Sequence, residues 1–134
     1  MIPVSSSIPM EVIMEQEKKN LFGVCPYMTS QRLLTGKWSI YLLYLLQDGP
    51  IRFNELQRRM PENMTHTTLS RQLKLLEEEG LIVRHVYSEI PPKVEYTLSD
   101  IGQKFDHVLD ALAKWGDEYI DFLHANRDVE IQAE

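Results

Sequence analysis

The chemistry-bearing residues of this chain concentrate between positions 65 and 74. Thr65, His66, Thr67, Thr68, Ser70, Arg71 and Lys74 bring hydroxyls, an imidazole and two long cations into ten residues that contain no carboxylate. Such groups exchange hydrogen bonds with polar edges and neutralise phosphate; they do not by themselves assemble a catalytic centre. Elsewhere the raw material for catalysis is scattered. His66, His85, His107 and His124 stand at no metal-ligand spacing with one another or with Cys25, and Asp106, His107 and Asp110 are accounted for by a solvated acidic helix face. The six glycines form no phosphate-cradling loop, and no strand-turn-helix elbow presents a serine nucleophile. No enzyme activity, metal site or cofactor is therefore expected.

The elements that must position the 65–74 cluster can be read from periodicity and punctuation. Residues 10–21 are expected as one short helix, and Cys25-Pro26 then interrupts the chain, because a residue before proline is pushed out of the α region. A short helix is expected over 28–34. Thr35-Gly36 and Gly49-Pro50 bracket a helix over 37–47, where Trp38, Tyr41, Leu42, Leu45 and Leu46 make a broad apolar stripe; such a helix belongs in the middle of a fold. Phe53, Leu56 and Met60 follow at i, i+3 and i+7 and stop at Pro61. Four residues later Thr65 can cap a second helix whose seam is Leu69, Leu73 and Leu76 and whose stop is Gly80. Its opposite face gathers Thr67, Ser70, Arg71, Lys74 and Glu78, so the acidic run Glu77-Glu78-Glu79 comes only at the far end.

Residues 81–87 and 94–98 are rich in β-branched and aromatic types around a loop bearing Pro91-Pro92, which reads as a β-hairpin. Ser99 then starts a last helix expected to run unbroken to about 125, with Gly116 offering a bend or a close approach. The class is α+β, predominantly α-helical: a winged helix-turn-helix with a two-stranded hairpin wing and a long C-terminal dimerisation helix. In that arrangement the second helix of the pair lies in a DNA major groove, and Lys93, at the end of the stiff wing loop, is placed to contact the backbone.

Composition sets limits on this reading. The chain has 134 residues, 20 acidic and 14 basic, and one cysteine, so it is the size of one domain and needs no internal disulfide. Its longest uninterrupted apolar run, residues 40–46, is far below the ~20 needed to cross a bilayer. The start lacks a secretory signal, which points to the cytoplasm and to no membrane partner. The net charge of −6 argues against nucleic acid until it is placed on the chain. Residues 1–93 carry 11 basic and 10 acidic side chains, whereas 94–134 carry 3 and 10, so the excess acid lies away from the helix pair.

Five blocks carry a family resemblance: Cys25-Pro26; Leu34-Thr35-Gly36-Lys37-Trp38; Arg52-Phe53-Asn54-Glu55-Leu56; Leu73-Lys74-Leu75-Leu76-Glu77-Glu78-Glu79-Gly80-Leu81-Ile82; and Ile90-Pro91-Pro92-Lys93-Val94-Glu95-Tyr96-Thr97-Leu98. Together they resemble the HxlR-type winged-helix transcription regulators of the MarR-like group, over about two thirds of the chain. The resemblance implies a homodimer on double-stranded operator DNA, with the helix from Thr65 in the major groove and Lys93 and nearby wing residues on the backbone. It also implies that Cys25 is a candidate sensor of oxidants or electrophiles; the competing reading is a small, partly buried residue where the N-terminal arm packs.

The organisation expected is an arm over 1–24, the domain with its dimerisation helix over 25–125, and a tail over 126–134. Phe105, Leu109, Leu112, Trp115, Tyr119, Phe122 and Leu123 form a stripe too apolar for one small subunit, which makes them dimer-interface candidates, although some must instead close the subunit core. A dimer would set its reading helices about one DNA turn apart, ~34 Å, on a pseudo-palindromic site. The alternative is a winged-helix protein-interaction module that never touches DNA, for which the net acidity would be natural. No small-molecule effector is specified by the residues.

Overall fold

The computed structural model describes residues 21–127. The chain divides into two units, residues 1–39 and 40–134. The helix expected over 10–21 lies outside the described residues except for Leu21, which adopts a left-handed φ of 57°. Residues 128–134 of the expected tail also lie outside them.

In the first unit, Cys25 is extended (φ −95°, ψ 123°), as the following proline requires, and Pro26 opens helix α1 (Pro26–Leu33). The helix therefore begins two residues earlier than periodicity suggested, because proline at the first helical position gives up an N–H that would have no intrahelical partner. Two contacts hold the entry: the Gly23 N–H donates to Thr29 Oγ1 at 2.8 Å, and the Arg32 guanidinium lies 4.2 Å from the Phe22 ring centroid. Helix α2 (Ser39–Leu45) follows and tightens into a 3-10 turn, Leu46–Asp48, so the helix expected over 37–47 is shorter at its start, with Trp38 outside it.

The second unit is built on leucine. Leu42, Leu43 and Leu46 from α2 and its turn, Leu56 from α3 (Phe53–Arg59) and Leu69, Leu73 and Leu76 from α4 (His66–Glu78) are all fully buried. Each such side chain contributes roughly 1.5–3 kcal/mol when withdrawn from water, which ties the helix pair to the core and leaves the outer faces free to be polar. Thr65 caps α4 as expected, its Oγ1 accepting the Thr68 N–H at 3.1 Å. At the other end Gly80, with φ 81°, allows the Leu81 N–H to reach back to the Leu76 carbonyl and its own N–H to reach Glu77, closing the helix and turning the chain into the sheet.

The sheet has three antiparallel strands in the order β1-β3-β2: β1 (Ile51–Arg52), β2 (Ile82–Tyr87) and β3 (Lys93–Leu98). The hairpin was expected; the third strand was not. Ile51 pairs with Tyr96 and Arg52 with Glu95, so the segment between α2 and α3 is stitched to the wing. In the hairpin, Ile82 faces Leu98, Arg84 faces Tyr96 and Tyr87 faces Lys93. Cross-strand partners share a face, so Ile82, Tyr96 and Leu98 form the buried side and Arg84 extends that side beyond the core.

The last helix is not continuous. Ser99 caps α5 (Asp100–Gln103), the Phe105 N–H turns back to the Gly102 carbonyl, and α6 (Asp106–Arg127) starts afresh. Close packing lies beside the break: a Cβ on Gly102 would collide with the Leu81 carbonyl oxygen. Ser99 Oγ also donates to the Gly80 carbonyl at 2.6 Å while accepting the Gly102 N–H, so the end of α4 and the start of α5 share one hydroxyl. Gly116, in contrast, has open space around it and marks no close approach.

Candidate nucleic-acid interface

Helix α4 presents the expected residues from its cap into its third turn. Thr65, His66, Thr67, Arg71 and Lys74 are exposed, while Thr68 and Ser70 are half-buried. They are not equally available. The Thr65 hydroxyl donates to Thr68 Oγ1 at 3.0 Å in addition to its capping role, so both hydroxyls are partly spent on the helix start. His66 lies tilted against Phe53 with ring centroids 4.4 Å apart, and its Nδ1 is 3.5 Å from Ser70 Oγ. The imidazole is thereby braced on α3 and oriented by α4. Thr67, Arg71 and Lys74 remain, and among the described residues neither cation makes an ion pair. No acid sits in the first turn, so the positive end of the helix is unopposed.

The preceding helix differs. Arg58 and Arg59 on α3 both pair with Glu55, Arg59 Nε at 3.0 Å. Hydrogen bonds from Arg58 first and Arg59 second hold the Glu55 carboxyl below its ordinary value of 4.5.

Lys93 opens β3 and does not stand at the tip of the wing. Its ammonium is 3.4 Å from Glu95 Oε2 and 4.5 Å above the Tyr87 ring, so it is engaged on the sheet, while Ile90 in the loop is fully exposed. The structure also brings together residues that sequence reasoning missed. A cleft of about 450 Å³ opens between α4 and the wing, and Arg52 and Arg84 line it alongside His66, Ser70 and Lys93. Isolated cations on strands have no periodic signature; the clue was the short apolar-basic pair Ile51-Arg52 after a Gly-Pro turn, which reads as a connection until its pairing with β3 is seen.

The other predicted residues fall elsewhere. On α6, Leu109 is buried, Leu123 is half-buried, and Leu112, Trp115, Tyr119 and Phe122 are exposed, while Phe105, in the turn before the helix, is half-buried. Trp115 stacks on Tyr119 at 5.3 Å and Tyr119 meets Phe122 at 5.5 Å, an aromatic ladder along one side of the helix. Cys25, in the first unit, is half-buried and unbonded to sulfur. Among the described residues no cluster of His, Cys, Asp or Glu is arranged to hold a metal, and no helix is long and apolar enough to cross a membrane.

Comparison with known proteins converges on one group. Residues 33–123 match the model of the HxlR-like helix-turn-helix family. The chain is 42% identical over 112 residues to the HTH-type transcriptional regulator YdeP of Bacillus subtilis (strain 168), covering 81% of this chain and 87% of that one. Among solved structures, the reduced form of the redox regulator HypR superposes with a TM-score of 0.70 at 36% identity, over 75% of this chain and 99% of that one. The reduced form of the transcriptional regulator YodB from B. subtilis does so with a TM-score of 0.62 at 34% identity, over 72% and 94%. These relatives are regulators and not enzymes. With a family match over most of its length and a winged helix-turn-helix whose second helix carries its unpaired cations outward, the chain belongs to the HxlR-like helix-turn-helix family and is a transcriptional regulator with a helix-turn-helix DNA-binding domain.

Proposed function

We propose that the protein acts in the cytoplasm as a homodimer that reads pseudo-palindromic operator DNA, with α4 in the major groove. The observation that carries this reading is the division of labour on α4: a fully buried leucine seam on one side and, on the other, exposed Thr67, Arg71 and Lys74 with no ion-pair partner among the described residues. Arg71 is the principal base or phosphate contact and Lys74 the second, because a guanidinium can address guanine bidentately and an ammonium serves as a point charge for phosphate. Thr65, His66, Thr68 and Ser70 shape the helix start, and Lys93 contributes from the wing. The exposed ladder of α6 supplies the dimer contact through Leu112, Trp115, Tyr119 and Phe122, with Phe105, Leu109 and Leu123 closing the subunit side. A monomeric regulator would have to leave that ladder in water.

Titrating a duplex selected by the protein from a random-sequence pool, at several salt concentrations, tests the reading. The expected result is tight binding whose logarithm falls linearly with the logarithm of salt, by ~0.9 per phosphate contacted. Absence of any duplex binding at low salt would leave a protein-interaction module instead.

A redox response through Cys25 is favoured by one specific observation, the likeness to HypR, a redox regulator solved in reduced and oxidised forms. One thiol per chain can pair only with another molecule's thiol, so the response would run through a disulfide between subunits or with a small thiol. Replacing Cys25 by Ser should abolish an oxidant-induced change in DNA affinity; a response that survives removes Cys25 from the mechanism.

A further inference from the structure

We propose that residues 128–134 of a second copy of the chain add a fourth strand to the sheet along the free edge of β2. This deepens the homodimer reading above and rests on it. β2 is the outer strand of the sheet, and one bond beyond its start fixes its hydrogen-bond phase. The Ser99 N–H donates to the Leu81 carbonyl at 3.0 Å, and the register carried one step back sets 81 opposite 99, so 83, 85 and 87 turn their backbone groups toward β3. The N–H and C=O groups of Ile82, Arg84 and Val86 therefore point outward, and among the described residues no backbone hydrogen bond from outside the sheet reaches them. Every residue of β2 after Ile82 is exposed. Edges of this kind are ordinarily guarded by lysine, proline or a bulge; the register of β2 runs unbroken, and the guard it carries is Arg84.

Charge and side-chain alternation choose the occupant. The β2 strand of a second copy does not fit, because two such strands paired about a two-fold axis at their centre set Arg84 against Arg84, like charges directly opposite. The sequence 128–134, Asp-Val-Glu-Ile-Gln-Ala-Glu, does fit. Its length matches the six residues of β2, and its acids stand at even positions while Val129, Ile131 and Ala133 stand at odd ones. Alternate side chains of a strand share a face, so on β2 Arg84 lies on one side and Val83 and Tyr87 on the other, all three exposed. Any register that sets an even-numbered residue beside Arg84 also sets Val129 and Ile131 on the face of Val83 and Tyr87. A slip by one residue undoes both matches. Arg84 makes no ion pair among the described residues, so the acid meets an uncommitted guanidinium.

Helix α6 decides which copy supplies the strand. After Leu109 none of its described residues is buried, and the helix continues for ~27 Å to residue 127. Seven residues span at most ~25 Å, and β2 takes up nearly all of that length. The helix thus delivers the segment beyond the core of its own subunit, and α6 is also the element proposed to meet the second copy. The exchange is reciprocal: each copy gives one segment and receives one, so the assembly closes at the dimer.

Sedimentation equilibrium and residue-resolved amide exchange on the full-length chain provide the test. Wild type is compared with Ile131→Pro, which bars an extended ladder without touching the sheet, and with Arg84→Glu, which sets acid against acid. In the wild-type dimer the outward N–H of Val86 should exchange about tenfold more slowly than in either variant, while the inward N–H of His85 exchanges alike in all three. Both variants should also dissociate about tenfold more readily. If wild type is dimeric and both variants match it in dissociation and in exchange at Val86, the added strand is wrong and the homodimer stands. If wild type is a monomer at every concentration, the homodimer reading fails and the exchanged strand with it. Slow exchange at Val86 that persists in Ile131→Pro would mean that something other than this segment covers the edge, which overturns the proposal. Trp115→Ala, diluted until monomeric, should lose protection at Val86; protection kept there would seat the segment on its own copy and overturn its assignment to a second one.

Discussion

Helices α4 and α6 are both amphipathic, yet they leave opposite problems unsolved. In α4 the apolar seam of Leu69, Leu73 and Leu76 is fully buried and the polar face is left with uncommitted cations. In α6 Leu109 alone is buried among the described residues, and the outward face carries Leu112, Trp115, Tyr119 and Phe122. The first helix has satisfied its hydrophobic demand inside the subunit and lacks an anion; the second lacks apolar cover. A single chain thus advertises two kinds of partner on two helices, and the difference predicts that damage to each will be read in a different assay.

The largest effect should come from breaking the satisfied side of α4. Leu73→Ala removes a fully buried side chain from the seam and should cost about 3 kcal/mol of folding stability, measured by urea denaturation, with DNA binding lost only as the folded fraction falls. A loss below about 1 kcal/mol would mean the seam is not what anchors α4. Next, Trp115→Ala, at 63% exposure, should leave subunit stability nearly unchanged and weaken dimerisation by about 2 kcal/mol, near 30-fold, in sedimentation equilibrium. If Trp115→Ala instead destabilises a protein that stays monomeric throughout, the ladder belongs to the subunit and the contrast collapses. Arg71→Ala comes third. It should weaken binding to a selected duplex by about 1–2 kcal/mol, roughly tenfold, while the dimer and its unfolding midpoint stay put. Loss of the dimer in Arg71→Ala would place the wrong face of α4 outward.

Much of this arrangement was legible in the sequence because it is local. Thr65 as cap, the leucine seam and Gly80 as stop fix α4 to within a residue at either end, and each signal acts over one or two turns. The hairpin was equally local. What escaped was tertiary. Strand β1 is two residues long and exists because it pairs with residues 95 and 96, over forty positions away, a contact that leaves no trace in the pattern of residues 51 and 52. The break between α5 and α6 escaped because Ile101, Phe105 and Val108 keep helical spacing across it; beside it Gly102 packs on the carbonyl of Leu81, which lies in the turn between α4 and β2. The site divides likewise. The α4 residues follow from helix phase, whereas finding Arg52 and Arg84 on the lining of the cleft needed the sheet order, and the engagement of Lys93 with Glu95 and Tyr87 needed the strand register.

Helix α3 sharpens the contrast from inside the helix-turn-helix, and the effect expected there is the smallest. Arg58 and Arg59 match α4 in number of cations, but Glu55 holds both. Because its folded carboxyl titrates below the ordinary value of 4.5, Glu55 contributes stability that is fully present above that value and fades as pH falls through the lower, folded one. The pair is exposed, so the contribution is slight and further reduced by salt. Glu55→Gln should therefore unfold at a marginally lower temperature than wild type at pH 7, and the gap should close in acid; a gap that widens in acid would reverse the sign of the linkage. The same variant frees two guanidiniums on the first helix of the helix-turn-helix, so binding to a scrambled duplex should strengthen and its salt slope should steepen. An unchanged slope would mean that α3 lies beyond reach of the phosphates even when its cations are released, and that position along the fold, more than pairing with acid, decides which cations of this domain can meet DNA.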